Sequence, residues 1–234
     1  MSLGGITLRK ARTAFFKGFV GALATGALVV GGLVAGVAPA AVAAEDPATV
    51  TADALPTVQI NGVAWDQAIA GNTVFAGGEF TRARPAGSPA GANESVRSNL
   101  LAYNLTTGAL IASFAPTFNG TVRQLAVTPD GSKLFVVGSF TQVNGSTRNR
   151  VAVFDLPGMT LSSVAPNVNG PVDSVAVTNT VAYFGGNFST INGQGRTKFG
   201  AVTIANNSTR PISAAVGDGR VQGIALSADA SRVA

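Results

Sequence analysis

The chain has 234 residues, 16 basic and 11 acidic side chains, and neither histidine nor cysteine. Those two absences exclude disulfides, thiolate metal sites and Ser-His-Asp or Cys-His catalysis within this sequence. The formal charge of +5 does not point to nucleic acid, because Arg9, Lys10, Arg12 and Lys17 precede the first acid, Glu45, and the remaining 12 cations nearly balance 11 acids.

The N-terminal segment reads as an export signal. A basic start, Arg9 to Lys17, leads into an uncharged apolar run from Phe19 to Ala38 and then the small residues Ala41-Val42-Ala43-Ala44. This is the order of a secretory signal, with cleavage after Ala43 or Ala44. The apolar run is also long enough to span a bilayer, so an uncleaved anchor over residues 1–44 is the alternative and the only expected membrane contact. Either way the cations stay inside and the rest faces outward, so the chain is expected to be secreted or held at the cell surface. Residues 45–56, rich in Ala, Thr, Asp and Pro, have no apolar period and read as a linker.

Residues 57–234 are repetitive. Copies begin near Val58 and at Val122, Val172 and Val221, the last three 50 and 49 residues apart. Ala102, Ala152 and Ala201 keep nearly the same step, as do Ala115-Pro116 and Ala165-Pro166. Each copy holds four short apolar runs. The first is Val122, Leu125, Val127, repeated as Val172, Val175, Val177 and as Val221, Ile224, Leu226. Its opening step of three breaks strand alternation and predicts a bulge or an edge position. The second run is nearly continuous (Val74 to Ala76, Leu134 to Val137, Ala182 to Phe184), as in a strand buried on both faces. A glycine and then a phenylalanine close it: Gly78 and Phe80, Gly138 and Phe140, Gly186 and Phe188.

Asn144-Gly145 and Asn192-Gly193 mark tight turns before the third runs, Val151 to Asp155 and Phe199 to Ile204. In the first copy, Arg82 to Ser98 is an insertion and reads as a mobile surface loop before Leu100 to Asn104. The fourth runs are Leu110 to Phe114, Leu161 to Ala165 and Ile212 to Val216. A period of 40 to 50 residues with four strands each is the pattern of a propeller blade. The expected fold is all-β, a partial β-propeller of four-stranded antiparallel blades, about three blades and the start of a fourth. Because such an array does not close a ring, a longer protein is expected, and this polypeptide alone is expected to aggregate or be partly molten.

The string from Gly138 to Asp155, its second version from Gly185 to Thr197 and the shorter Gly77 to Thr81 resemble the delta-60 repeat of bacterial secreted β-propeller proteins. The export signal and the Ala/Gly/Val bias look like those of actinobacterial members. The resemblance implies a propeller and an extracellular location, and often further immunoglobulin-like or carbohydrate-binding modules. It implies no common activity and no cofactor.

Asn144, Arg148, Asn192 and Arg196 recur at equivalent loop positions and are the candidate binding residues, a polar face for sugars or anionic polymers. The plainer reading is that Asn forms the turn and Arg ties blades together through carbonyls. Asp130, Asp155, Asp173, Asp218 and Asp229 are scattered, with no calcium-loop spacing and no visible carboxylate pair, so no catalytic residue and no metal ligand is assigned. Trp65, the single tryptophan, reads as a packing residue. The leading expectation is an extracellular binding or adhesion module for a carbohydrate or protein. A propeller enzyme with a carboxylate site and a structural spacer are the alternatives. Nucleic acid is not an expected partner.

Overall fold

The computed structural model describes residues 56–212 and 216–234. The export signal with Ala43 and Ala44, and nearly all of the 45–56 linker, lie outside the described residues.

The first blade comprises β1 (Gln59–Ile60), β2 (Val63–Ala70), β3 (Thr73–Glu79), β4 (Arg82–Arg84), β5 (Ser95–Val96) and β6 (Leu100–Asn104). The second comprises β7 (Val122–Val127), β8 (Lys133–Gly138), β9 (Gln142–Val143), β10 (Ser146–Thr147), β11 (Val151–Asp155) and β12 (Thr160–Leu161). The third comprises β13 (Val172–Val177), β14 (Val181–Gly186), β15 (Thr190–Ile191), β16 (Gln194–Gly195), β17 (Phe199–Thr203) and β18 (Ser208–Thr209). The main sheets run β2-β3-β6, β7-β8-β11-β12 and β13-β14-β17-β18, with every neighbouring pair antiparallel. The first strands are the inner ones: β2 lies beside β7, and β7 beside β13. This is a partial β-propeller.

Alternation explains the stacking. In β8, Leu134 and Val136 join a core with Phe75, Leu100 and Ala102 of the first blade, while Phe135 and Val137 face Val172, Val175 and Phe184 of the third. All four β8 residues are fully buried, because the strand is covered by a sheet on each side. Between the first two blades, Phe114 makes edge-to-face contacts with Phe75 and Phe154, centroids 5.4 and 5.3 Å apart. The glycine before each anchoring Phe is required by close backbone approach. A Cβ on Gly78, Gly138 or Gly186 would strike the carbonyl oxygen of Val63, Thr121 or Pro171.

The bulge is present in all three inner strands. The register slips between Ala64 and Asp66, between Val122 and Gln124, and between Val172 and Ser174, each opposite the Gly-x-Phe end of the next strand. This register corrects the start of the first copy. Ala64 faces Gly78 as Val122 faces Gly138, so Ala64, not Val58, is the counterpart. The apolar pattern was blurred there because Ala64 and Gln67 stand where the sister strands carry Val and Leu or Val. Val153 rather than Ala152 corresponds to Ala102 and Ala201, since it pairs with Phe135 as they pair with Phe75 and Tyr183.

Other expectations also shift. The first blade has a single bridge, Tyr103 to Leu110, in place of a fourth strand. The third blade's fourth strand is Ser208–Thr209, ahead of the expected run from Ile212, part of which lies outside the described residues. The insertion is not a featureless loop: β4 pairs with both β5 and β1, and Arg84 Nε reaches Gln59 Oε1 and the Ser88 carbonyl. It is a lengthened form of the β9–β10 hairpin. In the fourth copy, Val221 donates its N–H to the Gly186 carbonyl, and Leu226 bridges Val233 around a turn at Asp229.

Candidate functional site

The sequence-predicted binding residues are held by the fold's own backbone. Asn144 and Asn192 adopt positive φ (51° each) ahead of Gly145 and Gly193 (76° and 75°), as a tight Asn-Gly hairpin requires. Asn144 Oδ1 accepts the Thr117 N–H at 2.8 Å while its own N–H donates to the Thr117 carbonyl. Asn192 makes the same pair with Asn167 and adds a bond from Nδ2 to the Asn207 carbonyl at 2.7 Å. Arg148 donates to the carbonyls of Thr147 and Ser162, and Arg196 to those of Gly195 and Arg210. No hydrogen bond joins the two Asn/Arg sets, which sit on separate hairpins. A third member, Arg97, was hidden by the insertion. It donates to the carbonyls of Val96 and Ala112 in the same pattern.

A second repeated clamp escaped sequence reading. Asn61, Asn119 and Asn169 each accept two successive backbone N–H groups, from Thr81 and Arg82, Thr141 and Gln142, and Ser189 and Thr190. Each also donates Nδ2 to the hydroxyl of Thr81, Thr141 or Ser189. These residues fix where the inner strand begins.

The side chains left available are those at the bulge. Because the ladder skips them, Trp65, Arg123 and Asp173 are pushed out of their sheets at equivalent points, and Gln222 is their counterpart in the fourth copy. Together with Arg220 they line one cleft of about 390 Å3. Trp65 is 56% exposed, which overturns its assignment as a packing residue. A bulged inner-strand residue points away from both neighbouring cores. Asp173 is only 5% exposed, with Oδ1 2.5 Å from Arg220 Nη2 and 3.3 Å from Arg123 Nε. These are ionic contacts. Neither carboxylate oxygen receives a well-aimed hydrogen bond, and among the described residues Oδ2 has no partner.

The residue after the bulge braces the blades. Asp66 Oδ2 accepts the Leu125 N–H at 2.8 Å, and Gln124 Oε1 accepts the Val175 N–H at 2.6 Å. Burial pushes the Asp66 carboxyl above its ordinary value, partly countered by the N–H groups of Leu125 and Gln67. These rungs hold the inner strands at fixed spacing, so the bulged side chains sit on a rigid frame.

The cleft has two cations, one carboxylate, one amide and one indole. It can stack a flat or apolar face on Trp65, bind an oxyanion with guanidinium donors and receive a donor at Asp173. Its lining contains a single carboxylate, whereas a paired-carboxylate mechanism needs two across the reacting bond. A second cleft of about 300 Å3 is lined by Phe114, Phe154, Met159 and Leu161 with Asn144, whose Oδ1 already serves Thr117.

No curated protein matches this chain. Among solved structures it is similar to that of U3-55K, with a TM-score of 0.44 and 10% identity over 66% of this chain and 41% of that one. It is likewise similar to the WD40 repeats of RRP9, with a TM-score of 0.44 and 10% identity over 68% of this chain and 42% of that one. The chain thus spans about two fifths of the length of these structures. The family model described as the Rax2 C-terminal beta propeller domain matches residues 100–233, more than half of the sequence, from β6 through the last hairpin. The chain therefore belongs to the Rax2 C-terminal beta propeller family.

Proposed function

We propose that this chain is an extracellular or cell-surface binding module that takes a carbohydrate or protein partner at the cleft made by the bulged inner-strand residues. The observation that carries this reading is the exposed indole of Trp65 beside Arg123, Arg220 and the buried Asp173. An exposed aromatic among directed polar groups is the composition of a recognition site. The hairpin residues Asn144, Arg148, Asn192 and Arg196 serve the frame, so the ligand site belongs to the cleft rather than to them. The basic-apolar-small order of residues 1–44 supports the outward location, and the strings around Gly138 and Gly185 support a delta-60-type secreted propeller of actinobacterial character.

Two measurements test the proposal. Fractionation of cells producing the protein is expected to find it in the medium or the cell-wall fraction, and confinement to the cytosol would overturn the location. Purified protein is expected to bind immobilised cell-surface polysaccharide or surface protein, with the bound fraction falling at least tenfold for Trp65→Ala. Equal binding by both forms would remove the cleft from the function, and Arg148→Ala is expected to lower stability without changing affinity.

A further inference from the structure

Resting on the reading of the cleft as a binding site, we infer that its ligand is an acidic saccharide, a chain carrying uronic-acid units. Arg123 and Arg220 both approach Asp173, leaving the cleft with one net positive charge. Their side chains are 40% and 43% exposed, so guanidinium donors remain free on the open side. A planar fork of donors matches a carboxylate in two-point geometry.

Asp173 supplies the second requirement. Among the described residues its buried Oδ2 is an acceptor without a donor, a costly arrangement that a ligand O–H or N–H would relieve once an arginine turns from Asp173 to the ligand's carboxylate. A carboxylate-bearing peptide side chain satisfies the arginines but brings no donor fixed beside its acid. A uronic acid carries carboxylate and hydroxyls on one rigid ring, so one unit meets the arginines and Asp173 together. Trp65 supplies the third requirement, an exposed indole face for the C–H side of a sugar ring. Gln222 lies at the edge of the same cleft, able to donate to or accept from a neighbouring hydroxyl. The volume of about 390 Å3 is at the low end of the roughly 300–1,000 Å3 range of small-ligand sites, which suits a short stretch of a polymer.

The chain's single tryptophan lies in this cleft, so its intrinsic fluorescence reports on the site directly. The intact protein is titrated with an oligogalacturonate, a neutral oligosaccharide of equal length and a polyglutamate peptide. The oligogalacturonate is expected to change Trp65 emission saturably and to bind at least tenfold more tightly than the other two. That affinity should weaken as salt is raised, because the contact is ionic. Arg123→Gln should lower it at least tenfold. Since this substitution also removes a partner of buried Asp173, the double variant Arg123→Gln/Asp173→Asn, which keeps the net charge of the cleft, should show the same loss with a folded β-sheet spectrum. Equal binding of the neutral oligosaccharide or of polyglutamate, with Trp65 responding, overturns the acidic-sugar inference while leaving the cleft a binding site. If Trp65 responds to none of the three while the protein still binds cell-surface material, both readings of the cleft fall.

Discussion

At Asn119 one carboxamide makes three hydrogen bonds, two as acceptor from Thr141 and Gln142 and one as donor to the Thr141 hydroxyl. Asn61 and Asn169 repeat the arrangement, and Asp218 stands at the same point before the fourth copy. The economy is chemical: an amide oxygen accepts two bonds while the nitrogen donates. Asn119→Ala leaves two backbone N–H groups without this partner, and the expected cost is about 1–3 kcal/mol. Asn119→Asp keeps the acceptors and loses only the donor, so its cost should be smaller. Urea midpoints at constant slope check the order, and equal midpoints for the two variants would show that the accepted bonds contribute nothing.

At the level of the strand pair, glycine has two different uses. Gly77 faces the Val122 and Leu125 side chains of the next blade, whereas Gly138 faces the backbone of Thr121. A methyl group on Gly77 asks side chains to move, an overpacking cost of about 1–3 kcal/mol. On Gly138 it asks the inner strand itself to move. Gly138→Ala is therefore expected to lower the melting temperature more than Gly77→Ala, and the reverse order in calorimetry would contradict this account of the Gly-x-Phe signal. The same comparison shows what was legible in the sequence. The bulge was readable because Val122, Leu125 and Val127 break alternation, and the hairpins because Asn-Gly tolerates positive φ. The first copy was misplaced because Ala64 and Gln67 carry too little apolar character to mark β2. Arg97 went unseen because the insertion moved it out of step, although its contacts match those of Arg148 and Arg196. The cleft was least legible of all. Trp65, Arg123, Asp173 and Gln222 hold the same position in successive copies, but they share no chemical type, so the repeat marks no polar site there, and Arg220 lies two residues off that position.

Across the molecule, stability follows the number of neighbours each blade has. In a stacked array each unit is held by its own sheet and by the faces of adjacent units. The second blade is covered on both sides: Leu134, Phe135, Val136, Val137, Val151, Ala152 and Val153 are fully buried. In the first blade β3 and β6 are covered by the second blade on one face and by the partly buried Val58, Ile60 and Leu110 on the other. Its inner strand β2, however, leaves Val63, Trp65 and Ile69 49%, 56% and 56% exposed, while Val122 and Val172 of the sister strands are fully buried. Residues 216–234 are held by one internal bridge, a few backbone bonds and the Arg220–Asp173 ion pair. Local opening should therefore be cheapest at that end and in the 85–94 connection, and dearest in β8 and β11. Hydrogen exchange followed by mass spectrometry is expected to show protection falling from β8 and β11, through β14 and β3, to residues 216–234. The rank depends on burial from both sides rather than on strand length, since β2, with eight residues, is longer than β8, with six, yet should exchange faster. If β2 proved as protected as β8, its open face would have to be covered in solution, and the partner covering it would be the next structure to find.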